Sequence, residues 1–429
     1  MSRPLVPELK HLRQEIMTAC VRIPLKMDIR TKRSLGRSIQ RLVASRSFRL
    51  SQWAHAAKNR LTKPLYEIKW ASRLLANPHI DQGALAAYRL SLFGNRIQNN
   101  TPIAVDLSCV KWPYAKTVEG LCRVWDGTQK KAVSGHWWLK ATARFSATIR
   151  LPLLSSVFSH HSPSFISMNT TIIDFVTSLF HATGGRGLYL FDRGFDRIRL
   201  IQPFLSLGLR FAIRMNRTRC IQLQPNQNSK PCDPCDDGEG CDPCEGSASS
   251  QKGESGRTET LRLTAFLKTV AHPFSMTLPI HKKSISIQFG FSPITLPKIQ
   301  TPLWLIHTSG TLDPFILLTN EAIQTAQDAQ QMIRTYASRW AVEESFRDFN
   351  EEFDAQHVMV RTLKRINLLF ELALWAYSFA GAFFYRGKRL LRKLVCLGGR
   401  LGIKRKTEET FGRILKGLQH LFAHAASAP

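Results

Sequence analysis

The stretch GLYLFDRGFDR, residues 187–197, decides the fold prediction, because an apolar run ends in an acid and a glycine turn. Residues 188–191 are apolar and lead into Asp192, after which Gly194 can turn the chain. The stretch PIAVDLS, residues 102–108, has the same arrangement and ends its apolar run at Asp106. Both patterns are typical of a short buried strand followed by a turn. If these strands are neighbours in a sheet, the two acids lie close together at one edge.

The part of the chain after these strands is rich in further apolar runs. Strands are predicted in LRFAIRM (209–215), TLRLTAFLKTV (260–270), SISIQFGF (284–291), PLWLIHT (302–308) and PFILLTN (314–320). We therefore expect a β-rich insertion over about 205–320. Inside it, residues 226–257 are acidic and almost free of apolar side chains. Such a segment cannot bury enough apolar surface to offset its ordering entropy, which predicts a flexible loop.

Residues 325–353, TAQDAQQMIRTYASRWAVEESFRDFNEEF, are predicted to form a helix that begins at Thr325, with Asp328 completing its N-terminal cap. At about 100° per residue, one helix face carries a set of functional side chains. That face consists of Tyr336, Arg339, Glu343, Arg347 and Asn350. Glu344 lies to one side of it, beyond Trp340, which we assign to the core. A carboxylate with a guanidinium one turn away on either side suits a site that handles both metal and phosphate.

The balance of charge favours a polyanionic partner. The chain has 429 residues and carries 60 Lys and Arg against 31 Asp and Glu, a formal net charge of +29. This excess favours nucleic acid first and an anionic membrane second. The amino end lacks the apolar core of a signal peptide, and no apolar run is long enough to span a bilayer, so we expect a cytoplasmic protein.

The composition along the chain suggests a division into regions. Residues 1–97 are predicted to be a basic helical region that suits DNA binding, and 396–429 a basic helical tail. Residues 98–395 form the region between them, with the β-rich insertion, and the resemblance described below implies that this region is the catalytic domain. No helix-turn-helix pattern is clear in the first region. Its basic residues therefore have two interpretations, a surface that binds phosphates and a merely solvated helix face.

Three carboxylates could form a metal site for phosphoryl transfer. Two divalent cations can activate the attacking oxygen and stabilise the leaving one, and Mg²⁺ prefers oxygen ligands. Asp106 and Asp192 at the strand ends, with Glu343 from the later helix, supply such ligands. Asp126, in VWDGT, competes with Asp106, but Asp-Gly is a common hairpin turn and we prefer Asp106.

Three motifs occur in an order that resembles IS4-type transposases, the DDE enzymes of bacterial insertion sequences. They are DLS at 106–108, DRGF at 192–195 and Y-x-x-R-x-x-x-E from Tyr336 to Glu343. The resemblance covers roughly residues 100–390. A single acid would carry no weight, whereas the three-part order is specific. The resemblance implies an α/β protein with an RNase H-like core and a β-rich insertion between the second Asp and the Glu.

The same resemblance implies roles for individual residues. Asp106, Asp192 and Glu343 would bind two Mg²⁺ or Mn²⁺ ions, and Tyr336 and Arg339 would contact the transposon end. The family usually has Lys seven residues after the Glu, where this chain has Asn350. An amide can donate a hydrogen bond to a phosphate but cannot neutralise it. Either Arg347 takes over that role or this copy is impaired.

We therefore expect a transposase that binds the terminal repeats of its element, cleaves the strands and joins the 3′ ends to target DNA. The expected partners are double-stranded DNA and, on that DNA, a second copy of the chain, in the bacterial cytoplasm close to the nucleoid. Two alternatives remain open. One is a DNA-binding relic that has lost its chemistry, and the other is an RNase H-like nuclease that cuts without joining.

The nine cysteines predict no disulfide framework in a chain without a secretory signal. Five of them are expected to be reduced thiols: Cys20, Cys109, Cys122, Cys220 and Cys396. The other four form two CxxC pairs that could bind Zn²⁺: Cys232, Cys235, Cys241 and Cys244. The gap between these pairs is far shorter than the roughly 15–20 residues of a zinc ribbon. We therefore prefer a low-complexity insert to a zinc site.

Overall fold

The chain divides into two units of mixed α/β structure. The computed structural model describes residues 6–56, 63–112, 115–127, 129–146, 150–223, 260–280, 283–310, 314–382 and 410–425. Unit 1 consists of Met1–Phe211 and Ile333–Pro429, and unit 2 consists of Ala212–Met332. The predicted flexible loop 226–257 and its four cysteines lie outside the described residues, as does the tail except for its last helix.

The amino-terminal part of unit 1 is helical. Its helices are α1 (Val6–Val21), α2 (Ile29–Ser45), α3 (Leu50–Ala56), α4 (Pro64–Leu75) and α5 (Gln82–Phe93). The side chains of Asp28 and Asp81 accept hydrogen bonds from backbone N–H groups in the first turns of α2 and α5. Caps of this kind satisfy N–H groups that have no partner within the helix.

The sheet of unit 1 begins with the strand that carries Asp106. Its strands are β1 (Pro102–Lys111), β2 (Cys122–Asp126), β3 (Lys131–Arg144), β4 (Arg150–Phe158) and β5 (Leu188–Phe191). Along one edge β3 pairs with β1, and along the other it pairs first with β2 and then with β4, always antiparallel. In contrast, β1 and β5 are parallel. This arrangement requires a crossover between them, and α6 (Met168–Ala182) provides it.

The three helices that follow the second unit share one hydrophobic core with the amino-terminal helices. After β5 comes α7 (Ile198–Ser206), and after the second unit come α10 (Trp340–Phe353), α11 (Leu363–Ala382) and α12 (Thr410–Ala425). The core joins Trp53 of α3, Trp138 of β3 and Trp375 of α11, all of which are fully buried. As its apolar sequence predicts, α11 is almost entirely buried.

Unit 2 is built mainly of antiparallel strands. They are β6 (Phe211–Arg214, of which the first residue belongs to unit 1), β7 (Cys220–Leu223), β8 (Thr260–Arg262), β9 (Phe274–Ile280), β10 (Lys283–Leu296), β11 (Ile299–Ser309) and β12 (Ile316–Thr319). Their order is β6-β12-β11-β10-β7-β8, with β9 also paired to β10. Helix α8 (Leu263–Thr269) follows β8, so the predicted strand over 260–270 is confirmed only for its first three residues.

The predicted single helix over 325–353 is wrong, because the chain forms two helices there. Helix α9 covers Ala326–Ala337, and α10 begins at Trp340. The cap prediction is confirmed: the Thr325 hydroxyl accepts a hydrogen bond from the Asp328 backbone N–H at 3.2 Å, and the Asp328 carboxylate accepts one from the Thr325 N–H at 2.9 Å.

The break between α9 and α10 has a local cause. The Ser338 hydroxyl donates a hydrogen bond to the Thr335 carbonyl at 2.5 Å, in competition with the helix backbone. The backbone N–H groups of Ser338, Arg339 and Ala341 then bond carbonyls three residues earlier rather than four. These shorter bonds tighten the link and change the rotation of α10 relative to α9.

Two negative findings concern the described residues. No helix among them is long and apolar enough to cross a membrane. Over the same residues, Cys20, Cys109, Cys122 and Cys220 are free thiols, and the first three are buried.

Candidate active site

Asp106 and Asp192 lie side by side on neighbouring strands, although the predicted strand end at Asp106 is wrong, because β1 continues through pairing with β3 to Lys111. In the parallel pairing of β1 with β5, Val105 is opposite Phe191, and each acid is the next residue along its chain. The Asp192 carboxylate accepts a hydrogen bond from the Gly194 N–H at 2.9 Å, which holds it in the turn after β5. The structure thus brings together the two acids that the strand patterns predict as neighbours.

Glu343 is held beside Asp106 by an arginine. The Arg339 guanidinium lies 2.6 Å from Oε1 of Glu343 and 3.6 Å from Oδ2 of Asp106. The Arg339 and Asp106 side chains are largely buried, with 17% and 15% exposed, whereas Glu343 is 30% exposed. One guanidinium therefore links the acid of α10 to the acid of β1.

The electrostatic environment of Asp106 is unusual for a carboxyl group. Burial and the neighbouring Asp192 carboxylate raise the pKa of Asp106 from 3.8 to about 7, and Arg339 offsets part of this rise. Glu343 contributes a further small rise. Crowded carboxylates of this kind are typical of sites that bind cations, because a bound cation favours the ionised form.

Tyr336 contacts the strand that precedes the second acid. It lies in the last turn of α9, is only 8% exposed, and its hydroxyl donates a hydrogen bond to the Phe191 carbonyl at 3.0 Å. This bond ties the end of α9 to the end of β5, one residue before Asp192. The side chain that the family resemblance assigns to DNA contact thus has a protein partner in this structure.

The other predicted DNA-binding residues follow Glu343 on α10. Arg347 is exposed, and Asn350 is half-buried. The Oδ1 atom of Asn350 is buried and accepts no hydrogen bond from the described residues. Trp340, which its spacing assigns to the core, is 39% exposed at the start of the helix. Its place at the first position of α10, directly after the break, explains the difference.

Glu344 belongs to a different cluster from Glu343. Its Oε2 lies 2.9 Å from Nη1 of Arg150, the first residue of β4. The same arginine forms hydrogen bonds of 2.8–3.0 Å to both carboxylate oxygens of Asp348. No local pattern points to Arg150, because its partners lie about 200 positions away in the chain.

A second residue that sequence reasoning missed is Lys140. It is fully buried on β3, and its ammonium donates a hydrogen bond to the Ser345 carbonyl of α10 at 2.8 Å. Burial lowers the pKa of Lys140 well below its usual range. The sequence feature that could have revealed Lys140 is its position as a single lysine inside the otherwise largely apolar run HWWLKATA, residues 136–143.

Asp126, the alternative to Asp106, has a structural partner of its own. It lies at the end of β2, is buried, and pairs with Lys111 at 2.6 Å. β2 pairs with β3 and is separated from β5 by both β3 and β1. Asp126 is therefore a structural residue of the β2–β3 hairpin.

The acids do not form a closed metal cage in the described part of the chain. Among these residues, no group of three or more His, Cys, Asp or Glu side chains is arranged to hold a metal ion. Glu343 instead bonds to Arg339, as described above. The arrangement thus consists of two acids on adjacent strands, Asp106 within β1 and Asp192 directly after β5, and a third acid linked to Asp106 through a guanidinium.

Similarity to known proteins shows the family to which this chain belongs. No curated protein matches the chain. A solved structure similar to it is the cryo-EM structure of the piggyBac transposase synaptic complex with hairpin DNA, with 10% identity, a TM-score of 0.41, and coverage of 100% of this chain and 74% of that one. The family described as "Transposase DDE domain" matches residues 100–379, which run from just before β1 into α11 and make up more than half of the chain. The chain therefore belongs to the DDE transposases.

Proposed function

We propose that this DDE transposase is an IS4-type enzyme that binds the terminal repeats of an insertion sequence, cleaves the strands and joins the 3′ ends to target DNA. The observation that carries this proposal is the grouping of Asp106 and Asp192 on adjacent strands, with Glu343 joined to Asp106 through Arg339. The order of the strands supports an RNase H-like core, since antiparallel β1, β3 and β4 are followed by a helix and a parallel strand.

The three acids are the proposed ligands of two Mg²⁺ or Mn²⁺ ions. Their oxygen donors fit these hard cations, and the pKa of Asp106 is raised first by burial and then by the Asp192 carboxylate, a charge that a cation would offset. When bound, such ions activate the attacking oxygen and stabilise the leaving oxygen. Because Arg339 contacts both Asp106 and Glu343, it sets the distance between the acid of the helix and the acid of the strand.

The proposed contacts to the element end extend along α10. The exposed Arg347 guanidinium can donate two parallel hydrogen bonds to one phosphate, and the Asn350 amide can donate a hydrogen bond to a phosphate. Arg339 and Tyr336 are largely buried, and their contact with the element end is proposed from the family resemblance. We propose two roles for Tyr336: its hydroxyl bonds the Phe191 carbonyl, and its side chain contacts the element end.

The amino-terminal helices offer a second surface for double-stranded DNA. A cleft of about 620 Å³ between α2 and α4 is lined by Arg30, Lys69 and Arg73, together with Tyr66, which is 61% exposed. A neighbouring cleft, lined by Arg13, Arg33 and Arg37, shares Ser34 with the first. Cations grouped in this way suit a phosphate backbone, and the aromatic ring can pack on sugar or base.

A salt titration tests this second surface. Replacing Arg30, Lys69 and Arg73 by Ala should weaken DNA binding and lower the slope of log K against log salt by up to about 0.9 for each phosphate that is no longer neutralised. The matched control replaces the exposed cations of the β2–β3 hairpin, Arg123, Lys130 and Lys131. An equal change in slope for both triple variants would show that only total charge matters.

The regions 1–97, 98–395 and 396–429 remain our proposed functional division, with 1–97 for DNA binding. We also propose that the protein acts as a homodimer assembled on DNA, in the bacterial cytoplasm close to the nucleoid. Zn²⁺ at Cys232, Cys235, Cys241 and Cys244 remains the less favoured possibility for the insert.

The second candidate is a DNA-binding relic without chemistry. The observation that favours it is Asn350, which stands where the family has a lysine and so removes one cation from the proposed DNA surface. The nuclease alternative rests on the same three acids, because cleavage and joining use the same ligands.

A strand-transfer assay separates these three functions. The protein is incubated with Mg²⁺, a DNA fragment that carries the inverted repeats flanking its own gene, and a supercoiled target. Joined products are expected of a transposase, cut but unjoined ends of a nuclease, and bound but uncut DNA of a relic. Asp106→Asn and Asp192→Asn should abolish both products while leaving end binding largely intact, because Lys and Arg contacts to phosphates dominate affinity.

A further inference from the structure

Helix α10 is fastened to the sheet by a buried ionic cluster on the flank opposite the acids. Arg150 of β4 is only 10% exposed and engages Glu344 and Asp348, which are 23% and 14% exposed. Its contact with Asp348 is two-pronged, with Nη2 at 2.8 and 3.0 Å and Nε at 3.0 Å from the carboxylate. A planar guanidinium held by two acids has little freedom to rotate.

The spacing of these acids makes the cluster sensitive to rotation of the helix. Glu344 and Asp348 are four residues apart and so lie on one face, whereas Glu343 is turned by about 100° from Glu344. Fixing Glu344 and Asp348 against β4 therefore fixes the direction of Glu343. On its own flank, Glu343 is linked to Asp106 through Arg339.

A third contact lies between these two flanks. Lys140 is directly opposite Asp106 in the antiparallel pairing of β3 with β1, so both side chains project from the same face of the sheet. The Lys140 ammonium bonds the Ser345 carbonyl at 2.8 Å and lies 3.4 Å from the centre of the Phe349 ring. Lys140 therefore sets the distance between α10 and β3.

We propose that Arg150, assisted by Lys140, is a positioning residue that sets the rotation of α10 and thereby directs the Glu343 carboxylate toward Asp106 and Asp192. This inference rests on the proposed function in one respect, namely that Glu343 is the third metal-binding acid. Arg150 acts through Glu344 and Asp348 and does not touch the reacting groups. The acid next to the catalytic one thus has a role of its own, as an anchor.

The test measures cation binding as well as cleavage. Mn²⁺ binding to the full chain is titrated by electron paramagnetic resonance for the wild type, Glu343→Gln, Arg150→Met and the double variant. We expect Arg150→Met to weaken Mn²⁺ binding about tenfold or more, as losses of outer-shell support commonly do. The double variant should bind no more weakly than Glu343→Gln alone, since both changes act through one carboxylate.

The matched control is another buried arginine pair of unit 1. Arg89 of α5 is fully buried, pairs with Glu371 of α11 at 2.7 Å and donates a hydrogen bond to the Leu153 carbonyl of β4 at 2.7 Å, so neither of these partners belongs to α10. Arg89→Met should lower the melting temperature as Arg150→Met does, but it should leave Mn²⁺ affinity and the Mg²⁺ concentration for half-maximal cleavage unchanged. A shared shift in both variants would mean that Arg150 acts only through general stability.

A conservative variant covers the case in which Arg150→Met fails to fold. Arg150→Lys keeps the positive charge but loses the planar guanidinium that bonds a carboxylate at two points. Its Mn²⁺ affinity should therefore fall between those of the wild type and Glu343→Gln. Wild-type affinity in Arg150→Lys, or additive losses in the double variant, would overturn the proposal. If instead Glu343→Gln itself leaves Mn²⁺ affinity unchanged, the assignment of Glu343 fails, and with it the positioning role of Arg150.

Discussion

Replacing each of two adjacent glutamates by glutamine tests the assignment of the third acid most directly. Glu343→Gln and Glu344→Gln remove the same charge at neighbouring positions of α10. Glu343 bonds Arg339, which also contacts Asp106, whereas Glu344 bonds Arg150 at 2.9 Å on the other flank. The two variants thus differ in which cluster loses a carboxylate.

The expected losses of activity differ by orders of magnitude. If Glu343 is a metal ligand, its loss removes several kcal/mol of transition-state stabilisation, and about 4 kcal/mol corresponds to roughly a thousandfold loss in rate. Glu344→Gln weakens one partly buried ion pair, while Asp348 still holds Arg150. If this loss raises the activation free energy of cleavage by about 1 kcal/mol, the cleavage rate falls roughly fivefold.

The assay is Mg²⁺-dependent cleavage of an element end, with both variants at equal DNA occupancy measured by gel shift. Thermal melting of each variant shows that the comparison is made on folded protein. A larger loss for Glu344→Gln than for Glu343→Gln would refute the reasoning, because it would mean that the helix presents the other acid to the strand ends.

Three further predictions concern other positions. Tyr336→Phe should lower stability by about 1 kcal/mol through loss of the buried bond to Phe191 and should also weaken end binding in gel shifts, because we propose a DNA contact for the same side chain; unchanged end affinity would leave it with the protein contact alone. Asn350→Lys should tighten end binding and steepen its salt dependence by about one phosphate contact, as followed by salt titration. Burial lowers the pKa of His307 from 6.5 to about 4, so the folded state favours the neutral ring. Stability should therefore fall as pH drops from about 6.5 to 4, by at most about 3 kcal/mol, and chemical denaturation of His307→Phe should show a smaller fall.

The parts of the site that follow from local sequence could be predicted. An apolar run that ends in an acid and a turn defines β5 and Asp192, whereas the same pattern locates β1 but not its end, because β1 continues past Asp106 to Lys111. The cap at Thr325 is visible because its partner is three residues away. In each case the decisive interactions involve neighbours in the chain, to which pattern rules apply.

The parts that depend on distant contacts could not be predicted. The periodicity of 325–353 is helical on both sides of Ser338, so it conceals the break that a single hydroxyl introduces. The Arg150 cluster joins residues almost 200 positions apart, and on the sequence Glu344 resembles a surface charge. The spacing of Trp340 favours the core, although the break leaves it at an exposed first turn.

Three of the polar contacts that hold α10 come from three strands that are adjacent in space. Arg339 links the helix to β1, Lys140 links it to β3, and Arg150 links it to β4. Because residues opposite each other in an antiparallel pair share a face, Asp106 and Lys140 both face the helix only in the observed register. A slip of one residue between β1 and β3 would turn one of them to the other face. The position of the third acid therefore depends on the register of the sheet as much as on the helix that carries it.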